Sequence, residues 1–198
     1  MLTRNYRNTV QIAALAAKFH SGIETGVPES PSRSGPPIAL RRHRITGQTI
    51  QTIAMYFKQR SSSEIGVFLP TTALVKKYKN RLQSQVGVDR VQHHYRENGK
   101  LESNLDFEKP AIRVMNYWNV KGLEFDSVFL PELQAFTRDV AEGGTKMLFY
   151  ALLSRAREML YMSYLESKSP MVATLRQYLL EIGEGLDEED DFEKALKS

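Results

Sequence analysis

The sequence predicts an α/β fold in which a parallel sheet is covered by helices on both faces, a three-layer sandwich. Short apolar runs alternate with longer segments of helical periodicity along the 198 residues. Runs such as Ile65–Leu69 are apolar throughout, which is typical of strands buried on both faces. No internal repeat is visible, so the pattern favours one sizeable domain with its own core.

Composition narrows the class of protein further. Hydrophobic residues make up 41% and charged residues 25% of the chain, the balance of a globular domain. There is no cysteine, which excludes disulfides and zinc–thiolate sites. No apolar run approaches 18 residues, and the N-terminus has no apolar signal core. We therefore predict a cytoplasmic location and no membrane partner.

Charge divides the chain into a basic body and an acidic end. Residues 181–198 hold eight acidic residues and two lysines, so residues 1–180 carry a formal net charge of +10. A basic body favours a polyanionic partner such as nucleic acid. We predict a domain over 1–180 and a solvated acidic tail over 181–198, with a partner-binding or autoinhibitory tail as the alternative.

The first third of the chain predicts two helices around an edge strand. Asn8 is a plausible N-cap for an amphipathic helix, with Gln11 completing a capping box. A Gly-, Pro- and Ser-containing loop spans 21–37, and a strand follows over 38–45. Three arginines interrupt that strand and read as solvated edge residues, with phosphate contact as the alternative: Arg41, Arg42 and Arg44. Thr46 opens the second helix.

The middle of the chain is predicted to form a buried strand, a helix, and a segment with a short strand and a loop. The strand at 65–69 ends at Pro70, and the next helix turns Leu74, Tyr78 and Leu82 inward. Residues 86–111 contain a short strand over 90–95 and a loop around Asn98-Gly99. Its adjacent histidines, His93 and His94, should point to opposite faces of a strand, which argues against a metal pair.

A strand–turn–strand unit follows. Residues 112–117 and 126–130 are apolar and β-prone, and the turn between them carries Lys121, Gly122 and Glu124. Such a turn either presents polar groups to a ligand or is an ordinary solvated turn. A helix over 146–158, a strand over 159–164 and a last helix from Pro170 complete the pattern.

The string Val-Lys-Gly-Leu-Glu-Phe-Asp-Ser-Val-Phe-Leu, residues 120–130, resembles motif V of superfamily 1 helicases of the UvrD/Rep/PcrA type. Asn-Tyr-Arg-Asn-Thr, residues 5–9, resembles motif IV, and the segment 148–161 around Ser-Arg-Ala-Arg resembles motif VI. The three motifs occur in the order of the family, and the resemblance that rests on them covers most of 1–180. The resemblance implies a RecA-like fold, the second motor domain of such a helicase, with the accessory insertion reduced to about 86–111.

The resemblance also implies roles for individual residues. Arg7 and Arg155 take the places of the arginines that contact the nucleotide γ-phosphate. Glu124 would accept a hydrogen bond from the ribose hydroxyl, and Gly122 would allow close backbone approach. Taken alone, Arg7 reads as a surface arginine and Arg155 as an arginine ending a helix.

Two further positions of motif V face the nucleic acid in the family, and this chain departs from the family at both. Asn116 and Trp118 stand where the family commonly has Thr and His. Asparagine still donates to a phosphate, and tryptophan stacks on an unpaired base. The alternative for the chain's one tryptophan is a core residue.

A phosphate-cradling loop is missing from the sequence. Such a loop needs Gly-x-x-x-x-Gly-Lys-Ser/Thr, and the one Gly-Lys pair, Gly99-Lys100, is followed by Leu101. We therefore expect ATP with Mg²⁺ to be shared with an N-terminal RecA-like motor domain. The other expected partner is single-stranded nucleic acid, with DNA favoured over RNA, and the isolated chain is expected to be inactive. Two alternatives are a helicase-derived binding module without ATPase activity and a different P-loop-like enzyme on the same fold.

Overall fold

Helices and strands alternate along the residues that the computed structural model describes, which are 7–21, 31–165 and 168–184. The helices are α1 (Val10–Lys18), α2 (Thr46–Gln59), α3 (Thr72–Val86), α4 (Gly143–Leu153) and α5 (Pro170–Glu181). The strands are β1 (Ala39–Arg42), β2 (Ile65–Leu69), β3 (Val91–Glu97), β4 (Lys100–Ser103), β5 (Ile112–Asn116), β6 (Phe125–Leu130) and β7 (Ala156–Tyr164).

Within the described residues, the seven strands form one sheet in the order β1-β7-β6-β2-β5-β3-β4. All neighbouring strands are parallel except β3 and β4, which form an antiparallel hairpin at one edge. The hairpin turns at Asn98-Gly99, where both residues have positive φ, as a two-residue turn requires. The predicted α/β class is confirmed, and the departure from a purely parallel sheet lies in the segment predicted as a reduced insertion.

Helices cover both faces of the sheet. One core contains the apolar sides of α1, α4 and α5, with Leu15, Phe149 and Leu175 fully buried. The other core contains the apolar sides of α2 and α3, with Ile53 and Tyr78 fully buried. Because both faces are covered, β2 is buried at every position, as its sequence predicts.

The strand register defines two edges across the strand direction. We call them the amino edge, where the parallel strands begin, and the carboxyl edge, where they end. Ile65 lies level with Ile112 on β5 and with Ser127 on β6. Asn116 at the end of β5 is therefore six residue positions along the strand direction from Phe125 at the start of β6. At about 3.3 Å per residue this is about 20 Å. The segment 117–124 must cross one face of the sheet from its carboxyl edge to its amino edge.

Two predicted elements differ from the structure. The helix predicted over 146–158 is α4, which begins at Gly143 and ends at Leu153. Residues from Ala156 onward join the sheet instead, because Phe125 pairs with Ala156 and its N–H donates to Arg155 O at 2.9 Å. Tertiary pairing here overrides the helical pattern.

The edge position predicted for β1 is confirmed, but one of its arginines is not solvated. Arg41 is buried, whereas Arg42 and Arg44 are exposed. Side chains alternate between the two faces of a strand, so Arg41 lies on the opposite side of β1 from Arg42.

Among the described residues, no helix is both long and apolar enough to cross a bilayer. Most of the predicted acidic tail, from residue 185, lies outside the described residues.

Candidate functional site

Three residues assigned from separate motifs lie together at the amino edge of β6 and β7. Arg7 Nη1 lies 2.8 Å from Glu124 Oε1, forming an ion pair. Arg155 Nη1 donates to the backbone oxygen of Leu123, the residue before Glu124, at 3.1 Å. Residues distant in sequence are thereby brought to one place, where Arg7 pairs with the Glu124 carboxylate and Arg155 binds the carbonyl before it.

Arg155 is held more firmly than Arg7. Its Nε donates to Ala151 O at 3.1 Å, one turn back in α4, so two backbone carbonyls fix the half-buried side chain. Burial lowers the pKa of Arg155; among the smaller influences, Glu124 raises it and the nearby charge of Arg7 lowers it. An arginine stays protonated despite such shifts, so the site keeps both positive charges.

Asn8 explains why Arg7 reaches this edge. Its Nδ2 donates to Ser154 O at 3.1 Å and to Ala156 O at 2.6 Å, on either side of Arg155. The predicted N-cap role of Asn8 is wrong, since the N-cap of α1 is Thr9, with no side-chain cap. The amide instead joins the start of α1 to the junction between α4 and β7.

Gln11 likewise does not complete a capping box. Its Oε1 accepts a hydrogen bond from the N–H of Gly35 at 3.0 Å, and its Nε2 donates to Ser34 Oγ at 3.1 Å. Gln11 therefore fixes the loop that leads into β1.

Two more arginines belong to this site, and sequence reasoning missed both. Arg157 Nε lies 4.0 Å from Glu124 Oε2, and Arg157 Nη1 lies 3.7 Å from Asp126 Oδ1. Arg33 Nη2 donates to the backbone oxygens of Arg7 at 3.1 Å and Arg157 at 2.6 Å. The Arg-Ala-Arg string could have identified Arg157, because it lies near the start of β7, two residues after the arginine assigned to motif VI. Nothing near Arg33 in the sequence indicates its role.

Gly122 adopts a backbone conformation that favours glycine. Its φ is +80°, a region that other residues rarely adopt, and no heavy atom outside its chain neighbours lies within 4 Å of an added Cβ. The glycine therefore serves the turn itself, and its surroundings are open.

Asn116 and Trp118 lie at the opposite, carboxyl edge. Asn116 is nearly buried, and its Oδ1 is 3.5 Å from Thr72 Oγ1 at the start of α3. Trp118 is 52% exposed, so the core alternative for this residue is wrong. The guanidinium carbon of Arg138 lies 4.4 Å from the centre of its ring, a cation–π contact. The six predicted site residues thus form two groups joined by the segment 117–124.

No cluster of three or more His, Cys, Asp or Glu side chains suited to a metal ion occurs in the described parts of the chain. His93 and His94 do not converge. His94 Nδ1 lies 2.9 Å from Ser103 Oγ of the hairpin, and burial lowers the pKa of both histidines.

The sequence profile of the family described as UvrD-like helicase C-terminal domain matches residues 94–167. The predicted resemblance is confirmed: the match includes motifs V and VI. The match covers 74 of the 198 residues, and the fold is the one found in helicase C-terminal domains. A search of curated proteins finds no match.

Solved structures show the same fold at low sequence identity. The C-terminal domain of a possible DNA helicase from Lactobacillus plantarum WCFS1 is 20% identical, with a TM-score of 0.57 over 86% of this chain and 94% of that one. The C-terminal domain of the DEAD-box protein Dbp5 is 11% identical, with a TM-score of 0.55 over 82% and 96%. The helicase MrfA, bound to DNA and AMPPNP, is 12% identical, with a TM-score of 0.50 over 92% and 32%.

Proposed function

We propose that this chain is the C-terminal motor half of an ATP-dependent superfamily 1 helicase or translocase. The observation that carries the proposal is the convergence of Arg7, Glu124 and Arg155 at one edge of the sheet. A module that only binds nucleic acid has no use for two arginines and a carboxylate gathered from three motifs. A γ-phosphate and a ribose presented by a second domain would use all three.

The arrangement suits a nucleotide phosphate. Arg155 spends its Nε and one Nη1 donor on the carbonyls of Ala151 and Leu123, and within the described residues its other donors make no hydrogen bond. Those remaining N–H groups of the planar guanidinium match phosphate oxygens. An N-terminal RecA-like domain would cradle the phosphates and hold Mg²⁺. This chain would supply positive charge from across the cleft.

Arg7 and Glu124 give the site an exchangeable contact. The Arg7 side chain is 68% exposed and that of Glu124 30%, and such an exposed ion pair is worth only about 0.2–1 kcal/mol. A γ-phosphate would therefore compete with Glu124 for Arg7, and Glu124 would then turn toward the ribose while Arg157 stays near its other oxygen. Phosphoryl transfer depends mainly on such positioning and charge stabilisation. Loss of the γ-phosphate after hydrolysis returns Arg7 to Glu124 and lets the cleft reopen.

In this proposal, residues at the carboxyl edge of the sheet contact the nucleic-acid strand. Within the described residues, no hydrogen bond from Asn116 Nδ2 is seen, so this amide is available to a backbone phosphate. Trp118 offers a half-exposed ring to a base. The partners are thus a single-stranded nucleic acid, DNA in our proposal, and the N-terminal RecA-like domain. The bound DNA and AMPPNP of MrfA, a protein of the same fold, support this combination of ligands.

We expect the isolated chain to hydrolyse no ATP, since its sequence lacks the loop that cradles phosphates. Steady-state phosphate release with saturating single-stranded DNA is the measurement. Adding the N-terminal domain should restore hydrolysis. Turnover by the isolated chain that survives repurification, or a joined motor that stays inactive, would contradict the proposal.

Single-stranded DNA should bind the isolated domain weakly and with strong salt dependence, because few phosphates are contacted by a basic body. Trp118→Ala should weaken binding by about 1–3 kcal/mol, the value of one stacked base. Titration of a labelled oligonucleotide at several salt concentrations measures both effects. Trp118→Phe is the matched control, since it keeps an aromatic ring and should retain most of the affinity. Binding that does not depend on salt, or that is equal in all three proteins, would contradict the assignment of the carboxyl edge as the nucleic-acid-binding site.

A further inference from the structure

Arg138 covers part of the exposed Trp118 ring, and none of the motifs accounts for this residue. Its guanidinium carbon lies 4.4 Å from the centre of the ring. Arg138 is exposed, and within the described residues it forms no ion pair. A guanidinium over a ring keeps in-plane N–H donors available to a further acceptor. An exposed tryptophan next to an uncommitted positive charge is therefore built into the carboxyl edge.

The pair is positioned by buried aromatic packing beneath it. Tyr117 precedes Trp118 and is 1% exposed, and its ring centre lies 6.0 Å from that of Phe136. Phe136 lies two residues before Arg138 and packs edge-to-face on Phe149 of α4, with 5.0 Å between ring centres.

On the far side of Arg138, Val140 is also buried, so core residues anchor both ends of the short loop that carries the arginine. This anchoring matters because it fixes the backbone from which Arg138 extends relative to Trp118. The contact between ring and guanidinium follows from the packing of the core.

We propose that Trp118 and Arg138 form a clamp for one unpaired nucleotide, with the base stacked on the ring and the adjoining phosphate held by Arg138. The inference rests on the proposed function and adds Arg138 to it as the residue that holds the phosphate beside the stacked base. A base within a duplex is stacked on both faces and cannot cover the ring, so the clamp selects single strands. Base stacking on an aromatic ring beside an arginine combines two contacts that tolerate any sequence.

The chain has one tryptophan, so its fluorescence reports on Trp118 alone. The ligands are oligothymidylate and an abasic oligodeoxyribonucleotide of equal length, which has the same phosphates without bases. We expect oligothymidylate to quench the fluorescence and the abasic strand to bind without quenching. Arg138→Gln should weaken oligothymidylate binding about tenfold and lower the slope of log K against log salt by about 0.7, the value for one phosphate contact on a single strand.

The matched control is Arg60→Gln. Arg60 is also exposed and also lies over an aromatic ring, 5.5 Å from the centre of Tyr56, but it follows α2 at the amino edge of the sheet. The control removes the same charge and the same kind of contact, and should leave affinity, salt slope and quenching unchanged. Circular dichroism checks folding. If the Gln variant unfolds, Arg138→Lys decides, since it should keep the salt slope and lose part of the affinity.

The outcomes distinguish a failure of the clamp from a failure of the proposed single-strand binding on which it rests. If the parent binds and is quenched while Arg138→Gln matches its affinity and salt slope, the clamp is wrong, but single-strand binding at the carboxyl edge is still supported. Equal quenching by the abasic strand also overturns the clamp, because the base is then not on the ring. If the parent neither binds nor is quenched by oligothymidylate, the proposed strand contact fails and the clamp fails with it.

Discussion

Arg155→Ala, in the proposed motor that joins this chain to an N-terminal RecA-like domain, should slow single-turnover ATP hydrolysis by roughly 10²–10³-fold. A single arginine finger contributes 10³–10⁵ in well-studied GTPases, and here Arg7 and Arg155 would share the task. In the proposed motor their charge would stabilise the transition state more than the bound nucleotide, so the loss should appear in the chemical step. Arg155→Lys should recover little, because an ammonium group cannot reproduce the planar fork.

The two arginines need different folding controls. Arg155 bonds two backbone carbonyls, so its removal should also lower the free energy of unfolding by about 1–3 kcal/mol. Arg7 is mostly exposed and pairs with Glu124, so Arg7→Ala should test the chemistry with little loss of stability.

Glu124→Ala is the informative comparison within the same site. It removes the carboxylate assigned to the ribose and should mainly weaken nucleotide binding, with a smaller effect on the chemical step. A folded Arg155→Ala motor that hydrolyses ATP at the parent rate would overturn the assignment of motif VI. Parent rates in the Arg7 and Arg155 variants together would overturn the motor proposal.

Arg113→Ala should destabilise the domain by about 3 kcal/mol, the low end for breaking a buried ion pair. Arg113 on β5 is 0% exposed and pairs with Glu64. It also donates to Gln92 Oε1 at 2.9 Å and to the backbone oxygens of Asp106 at 2.5 Å and Lys109 at 3.2 Å. Its loss leaves several acceptors near the core without a donor. Denaturant unfolding measures the change, and the melting temperature should fall by about 6–12 °C.

Arg113→Met separates charge from packing, since methionine keeps much of the volume. It should be nearly as destabilising as alanine if the unpaired acceptors dominate. Glu64→Gln should cost less, because the Glu64 side chain is 24% exposed and water can replace part of the contact. An Arg113→Ala domain as stable as the parent would show that the loop over 104–111 is not fastened by this residue.

The strands and most helices could be predicted because each has a local signal. Apolar runs mark β2, β5 and β6, and Pro170 marks the first turn of α5. The gathering of Arg7, Glu124 and Arg155 was also predictable, but only through the resemblance to a family, since no pattern within the chain relates the three.

What could not be predicted depends on contacts across the chain. The sequence pattern predicts Asn8 as the N-cap of a helix. In the fold its side-chain amide instead donates to backbone carbonyls about 150 positions away. Arg33 and Arg138 lie in segments without periodicity, and their partners are defined only when the sheet has formed. The helix α4 was predicted too long because β6 offers strand pairing to residues that also suit a helix.

The crossing of the sheet by residues 117–124 has a thermodynamic consequence. One short segment, with Trp118 near one end and Glu124 at the other, belongs to both candidate binding edges. If occupation of the strand edge changes the affinity of the amino edge for nucleotide, nucleotide must change the affinity for the strand by the same factor. The two binding equilibria are then one linked system, and the ratio of strand affinities with and without nucleotide measures how much free energy this segment transmits.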